Sequence, residues 1–374
     1  MAAKSHRQPV EIDEDITCAS TLPGWFYADP AVYRIMRERV FPRSWQLVAD
    51  TDAVKIPGQT HPFTFLEGCL DEPLVLVRDE RDGLHCLSNV CTHRGTIVVE
   101  HGGRERCLTC RYHGRRFRLD GTFEYMPEFQ QTRDFPTEAD NLPRIPFAAW
   151  RKFIFANLDR AAPPIEETIG DMAGRCGWLG LDDLALDATR CKDYLVRANW
   201  ALYVENYLEG FHIPFVHASL NEAIDYGSYR TEIYARSNLQ RGIAKGAEEC
   251  FAPPPDSPDH GQRLAAYYWW LFPNTMFNFY PWGVSVNIVR PLGPELTRVS
   301  FLTYVMDRHR LDKGAGAGLD RVEREDEAVV EAVQRGVRSR LYHRGRYSPT
   351  REQGVHHFHR LLACVYNEGL GAGL

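Results

Sequence analysis

The sequence predicts an α+β protein of two domains, and three observations carry that prediction. At 374 residues the chain exceeds the roughly 100 to 200 residues of one ordinary domain. Short runs of alternating apolar and polar residues occupy its first half, whereas helical spacing opens the chain and returns in its second half. Hydrophobic content of 44% with 25% charged residues is that of a globular chain able to bury two cores.

Residues 25 to 45, WFYADPAVYRIMRERVFPRSW, carry helical spacing that ends at Pro42, where the helix loses an amide donor. EPLVLVRD and GLHCLSNV then read as strands, FRLDGTFEY continues them through a hairpin step at Asp120-Gly121, and PFAAWRKFIFANL closes the series before the loop AAPPIEE. The expected divisions are a helical segment at 1–45 packing on the second domain, a small β-domain at 46–162, and a second domain at 163–374. In that second domain helical spacing runs from Arg197 to His212, and YRTEIYARSNLQ, AAYYWWLF, GVSVNIVRP and TRVSFLTYVMD predict an antiparallel sheet. Two polar-faced helices, about 318–342 and 350–366, close the chain, and APPPDSPDHG and KGAGAG read as surface loops.

The net charge of −6 gives no footprint for nucleic acid. The N-terminus lacks the apolar core of a secretory signal, and no run of eighteen apolar residues occurs, so a cytoplasmic location is expected. Ten cysteines in so long a chain are too dilute for a disulfide scaffold. Burial is expected for Cys18, Cys69, Cys86, Cys176, Cys191, Cys250 and Cys364.

Chemistry concentrates first in CTHRGTIVVEHGGRERCLTCRYHG. Cys91-x-His93 and Cys110-x-x-His113 are two matched loops, each with one thiolate and one imidazole donor. Two thiolates suit one iron of a [2Fe-2S] cluster and two neutral imidazoles the other, which raises the potential above that of an all-cysteine cluster. A Cys2His2 zinc site is the competing reading, but Cys91-x-His93 is too tight for it. Gly95 and Gly114 fit tight loops whose amides approach cluster sulfurs, and Cys107 is a spare thiol, since its use would leave His113 unexplained.

A second pattern lies in NWALYVENYLEGFHIPFVHASL. On a continuous helix His212 and His217 would splay roughly 140° apart. Pro214 between them predicts that the helix ends near His212 and that His217 folds back. Two histidines and a carboxylate form the facial set that holds ferrous iron with positions open for dioxygen. In RVEREDEAVVEAVQRGVRSRLY, Val322, Val329, Val330, Val333 and Val337 form an apolar stripe with Asp326 in its middle. Asp326 is therefore the expected third ligand, with Glu325 as fallback, while Glu323, Glu325 and Glu327 read as solvated. Glu209 lies three residues before His212 and can orient its ring, the alternative being direct ligation.

These motifs, CTHRG, CRYHG, VENYLEGFHIPFVH and the ED step of EREDEAVVEAVQRG, resemble the oxygenase component of Rieske mononuclear non-haem iron oxygenases over nearly the whole chain. VENYLEGFH and GRYSPTREQGVHHFH look most like the choline- and carnitine-type monooxygenases. The resemblance implies an N-terminal all-β Rieske domain, a C-terminal helix-grip catalytic domain, a homotrimer, and a separate reductase drawing on NAD(P)H through flavin and iron–sulfur groups. It also implies cluster ligands Cys91, His93, Cys110 and His113, catalytic-iron ligands His212, His217 and Asp326, and Glu209 as an acid bridging to a neighbouring subunit's cluster. Arg115 and Arg116 stand where many members carry tryptophan, and read as a docking spot for an acidic donor or as a subunit contact. Aromatic residues between Tyr267 and Gly283 could surround a quaternary ammonium, with strand packing as the plainer account. An aromatic ring-hydroxylating enzyme is the alternative substrate reading. A cluster protein that only transfers electrons or senses a ligand is the alternative of another class. HHFH at 356–359 is expected on a helix surface at the trimer contact.

Overall fold

The computed structural model describes residues 8–246 and 249–371. They form two compact units: Pro42–Pro163, and Met1–Phe41 together with Pro164–Leu374. Helix α1 (Pro30–Arg39) belongs to the larger unit. The Asp29 carboxylate caps it by accepting from the Ala31 amide, and Pro30 takes the first helical position, where no amide donor is needed.

The smaller unit is built from ten short strands: β1 (Gln46–Asp50), β2 (Gln59–Phe65), β3 (Glu72–Arg78), β4 (Leu84–Ser88), β5 (Gly103–Arg104), β6 (Leu108–Thr109), β7 (Arg116–Phe117), β8 (Phe123–Tyr125), β9 (Phe147–Trp150) and β10 (Phe153–Ala156). They pair antiparallel in three sheets, ordered β1-β10-β9, β4-β3-β2-β5 and β6-β7-β8. Val75, Val77, Leu87, Leu108 and Phe117 form a core that also takes in Cys91 and Cys110.

The larger unit continues with α2 (Glu166–Cys176), β11 (Ala185–Leu186), β12 (Lys192–Val196), α3 (Trp200–Tyr207), α4 (Ile213–Val216), α5 (Ala218–Ala223), β13 (Arg230–Ile233), β14 (Ser237–Ile243), β15 (Leu264–Leu271), β16 (Thr275–Tyr280), β17 (Gly283–Gly293), β18 (Leu296–Val305), α6 (Leu319–Val337) and α7 (Gln353–Gly371). Its antiparallel sheet runs β11-β18-β17-β16-β15-β14-β13, with β12 also on β18. Every residue of β15 and β16 is buried because both faces are covered. On one face Trp270 packs edge-on against Phe358 of α7 at 5.3 Å. On the other, Tyr267 donates to Asp259 at 2.6 Å and Trp269 stacks on Tyr234. Among the described residues no helix is long and apolar enough to cross a membrane.

Several expectations change. Helix α2 was not foreseen, although Ile165, Ile169, Met172 and Cys176 are buried at helical spacing. The loop APPPDSPDHG is anchored inward, since Asp259 has no exposed surface and binds Arg175 at 2.7 and 2.9 Å and Arg241 at 3.0 Å. KGAGAG also turns inward: Ala315 and Gly316 are buried, and a Cβ at Gly316 would meet Trp282 Nε1 at 2.2 Å. Helix α7 buries nine of its nineteen residues and keeps one exposed stripe of Arg360, Cys364 and Glu368. Within HHFH, His356 Nε2 donates to the Asp13 carbonyl at 2.7 Å. His359 lies between Tyr347 and Glu205 with no exposed surface, so these two rings bind their own chain instead of a partner. Cys18 and Cys364 are exposed and Cys191 and Cys250 half-buried, so burial holds only for Cys69, Cys86 and Cys176.

Candidate metal centres

The two cysteine–histidine loops of the smaller unit are backbone copies of each other. The Cys91 amide donates to the Thr96 carbonyl at 2.8 Å and the Gly95 amide to the Cys91 carbonyl at 3.0 Å. In the second loop Cys110 bonds Arg115 at 2.8 Å and Gly114 bonds Cys110 at 3.0 Å. The fifth residue of each loop must adopt φ near +73° or +72°, which is why both are glycine. Both cysteines are buried and their thiols lie within hydrogen-bonding reach; burial raises the Cys91 thiol, while the His93 and Arg94 amides that donate to its sulfur lower it. His93 and His113 sit nearer the surface, their rings edge to face at 4.8 Å. Burial, then the neighbouring His113 and Arg115, hold His93 below the usual imidazole range and so in its neutral, metal-binding form. His113 Nδ1 is buried and meets no partner within the protein, an orphan that coordination would resolve. Cys107 is half-buried beside Thr109, at 3.5 Å.

Arg115 departs from its expected role. It is 2% exposed, paired with Asp140 at 2.6 Å, and its guanidinium lies 5.6, 5.0 and 5.6 Å from the rings of Phe117, Phe123 and Phe135. The Asp140 carbonyl accepts from Thr92 of the first loop and from Arg115 of the second. Arg115 is therefore an internal strut between the loops. Arg116 alone is exposed, over Tyr125.

The second centre lies in the larger unit. Helix α3 ends at Tyr207, five residues before the expected stop, because the Glu209 carboxylate takes the amides of Phe211 and His212. The chain then turns and restarts as α4, with Pro214 in its first turn. His212 and His217, which flank α4, have ring centroids 5.0 Å apart. Their Nε2 atoms both face Asp326 Oδ1, at 3.5 and 3.0 Å, and the three donor atoms lie within 4.8 Å of one another. The opposite nitrogens are also held: His212 Nδ1 by Glu209 Oε1 at 2.5 Å and His217 Nδ1 by Glu325 Oε2 at 2.8 Å. Glu325 is neither a converging donor nor simply solvated; it orients His217 and is itself bound by Arg321 at 3.0 Å. Burial lowers the His217 pKa, but Asp326 and then Glu325 outweigh it and leave it raised.

The stripe on α6 is partly displaced. Val333 is exposed while Glu323, Val330, Gln334 and Val337 are buried. Glu323, 2% exposed, accepts from the Tyr203 hydroxyl at 2.6 Å, and burial pushes its carboxyl well above the usual range.

A cavity opens beside His212, His217 and Asp326. Its floor is one rung of the sheet. Register places Gln240, Tyr268, Asn278 and Ser285 side by side across β14 to β17. Tyr207 ties this rung to α3, donating to Asn278 at 2.8 Å and accepting from Gln240 at 2.6 Å through its carbonyl. Tyr203, Tyr229, Tyr280 and Phe301 supply further rings. Burial raises the phenols of Tyr203, Tyr207, Tyr229 and Tyr280 well above their usual value, so they stay neutral. Of the aromatic run, only Tyr268 and Tyr280 reach this cavity, by the alternation of their strands.

Both parts of the chain resemble known proteins. The model described as "Ring hydroxylating alpha subunit (catalytic domain)" matches residues 181–368, and that described as "Rieske [2Fe-2S] domain" matches 44–136. Chloroplastic choline monooxygenase of Arabidopsis thaliana is 32% identical over 92% of this chain and 82% of its own. The carnitine monooxygenase oxygenase subunit of Escherichia coli K12 is 28% identical over 94% of this chain and 95% of its own. The solved structure of a quaternary ammonium Rieske monooxygenase, described for carnitine oxidation by gut microbiota and inter-subunit electron transfer, superposes with TM-score 0.75 at 25% identity, covering 96% of this chain and all of that one.

Proposed function

The chain belongs to the ring-hydroxylating Rieske oxygenases, with a [2Fe-2S] domain and a catalytic domain for mononuclear iron, and on that premise we propose that it oxidises a small quaternary ammonium compound. The observation that carries the proposal is the convergence of His212, His217 and Asp326 on a cavity walled by neutral tyrosines. Oxygenases of this family work with a separate reductase; for this one we assign flavin and iron–sulfur groups supplied by NAD(P)H, and a homotrimer.

Cys91 and Cys110 would hold one cluster iron and His93 and His113 the other. The facing thiols, the edge-to-face imidazoles and the orphaned Nδ1 of His113 fit that group. His212, His217 and Asp326 would hold ferrous iron, and their donor set suits it. When bound, the cluster supplies single electrons and the ferrous ion the site at which dioxygen is reduced, so that a C–H bond beside the nitrogen gains oxygen and hydroxylation or N-dealkylation follows.

The protein's own groups do the rest. Glu209 and Glu325 accept the Nδ1 protons of His212 and His217, which fixes each ring's tautomer and leaves its Nε2 lone pair toward Asp326. Glu209 is assigned the further role of bridging to a neighbouring subunit's cluster. The tyrosine rings hold the cation by attraction of about 0.5 to 2 kcal/mol per face.

Single turnover tests this reading. Anaerobically reduced protein is exposed to dioxygen with choline, glycine betaine, carnitine or aromatic acids, and products are followed by mass spectrometry. Oxidised or dealkylated product from an ammonium compound is expected. Product from aromatic acids alone would keep the enzyme class and discard the substrate.

A further inference from the structure

The catalytic cavity has a neighbour. A second chamber of the larger unit is lined by Arg190, Lys192, Tyr194, Trp282 and Thr303, and Phe301 and Leu319 belong to the walls of both spaces. Strand register explains the adjacency. The floor rung continues from Ser285 of β17 to Thr303 of β18, and the next rung on the same face runs Asn287, Phe301 and Lys192 across β17, β18 and β12. One face of the sheet thus passes from the cavity, under Phe301, to the chamber at β12.

The segment before α6 completes the partition. Its Ala315 lines the cavity, whereas Gly316 and Gly318 line the chamber. The seat of this segment is apolar: Ala315 joins the buried cluster of Tyr268, Tyr280 and Trp282. Gly316 lies against Trp282 Nε1, an indole nitrogen that is buried without a partner. The closed segment therefore strands a donor that water or a passing acceptor would satisfy once the segment lifts. Polar anchoring is sparse. Among the described residues, 311–318 is tied beyond its immediate flanks only by the Arg190–Asp312 pair, at 2.8 and 3.0 Å, and by a looser Lys313–Glu249 contact at 3.8 Å. Gly314 and Gly318, at φ +59° and +62°, stand at its two ends.

We propose that the second chamber is the entry chamber of the catalytic cavity, that segment 314–318 is the door between them, closing against Phe301 and Leu319, and that the Arg190–Asp312 pair is its latch. The inference rests on the catalytic reading of the cavity above, whichever small molecule is oxidised there. The side of the cavity at Glu209 is the one assigned to electron delivery, so substrate and electrons arrive from different directions.

The test is stopped-flow binding to reduced, iron-loaded protein without dioxygen, read by the perturbed spectrum of the ferrous site. The probe is choline, or an aromatic acid if that alone gives product in single turnover, and iron content is measured first. The latch side chains are 40% and 62% exposed, so Asp312→Ala is expected to quicken association and dissociation together by about two- to five-fold, with affinity unchanged. Lys192→Trp puts a bulky ring into the chamber beside Phe301 and should slow both rates by about ten-fold. A purely structural effect would change affinity or iron content without moving the two rates in step. Association rates equal to wild type in both variants would overturn the door and leave the oxygenase reading standing, as would an affinity change carried by dissociation alone. If Lys192→Trp does not load iron, Asp312→Ala on its exposed loop decides. No spectral response to any ammonium compound or aromatic acid would sink both readings.

Discussion

Replacing Arg115 with methionine tests whether the cluster loops are held by a strut. The guanidinium is 2% exposed and the Asp140 side chain 19%, their contact is 2.6 Å, and three phenyl rings surround the cation. Breaking a fully buried ion pair costs about 3–5 kcal/mol, and each lost ring contact adds about 0.5–1 kcal/mol. Two features pull the total down. Asp140 keeps some water and its bonds from Thr137, and methionine refills part of the space among the rings. A net loss of about 3 kcal/mol follows, which for a unit of this size is a melting point lower by about 10 °C. The assay is thermal loss of the cluster's visible absorbance, with iron content measured beforehand. Arg116→Ala is the control, since Arg116 is 45% exposed and should change stability by no more than about 0.5 kcal/mol. Equal cluster loading and equal melting in the two variants would refute the strut and return Arg115 to the role of a surface charge.

Asp326→Ala is expected to lower iron from about three to about two per chain while the cluster's spectrum persists; unchanged iron content would remove Asp326 from the ligand set. Glu209→Gln should retain both metals and lose turnover by about a hundred-fold or more, and near-normal single turnover would reject its role. Asp259→Asn should destabilise the larger unit by about 3–5 kcal/mol at neutral pH, measured by denaturant unfolding. Burial raises the Asp259 carboxyl, but Arg175 and Tyr267 outweigh it and the net shift is downward. Its stabilisation is thus complete above the unfolded value of about 3.9 and fades as pH falls below it, so the gap between wild type and variant should close in acid. A gap independent of pH would mean that packing, not charge, is lost.

The residues that chemistry demands were legible, and those that packing recruits were not. Cys91, His93, Cys110 and His113 stand out because few residue types bind metal and their spacing repeats. His217 was brought toward His212 by expecting a break at Pro214, but the helix stops earlier, at Tyr207, and Pro214 opens α4 instead. Arg115 was misread because its burial depends on Phe135 and Asp140, twenty and twenty-five residues downstream, and no local pattern records that. Glu325 was read as solvated because adjacent helical residues diverge; only the position of the His217 ring lets Glu325 take one nitrogen and Asp326 the other. The missed α2 is a different failure. Its buried stripe of Ile165, Ile169, Met172 and Cys176 was there to be read, but no element was assigned between the loop AAPPIEE and Arg197.

The cavity floor has a consequence for anyone who would redesign this protein. Gln240, Tyr268, Asn278 and Ser285 each come from a different strand of one rung, while the candidate iron-binding side chains stand on α6 and around α4. The floor is in effect a four-letter word written on rigid backbone. Tyr268 and Ser285 can be varied in a combinatorial library to deepen or fill the chamber, whereas Gln240 and Asn278 are also the points at which the floor grips Tyr207 of α3.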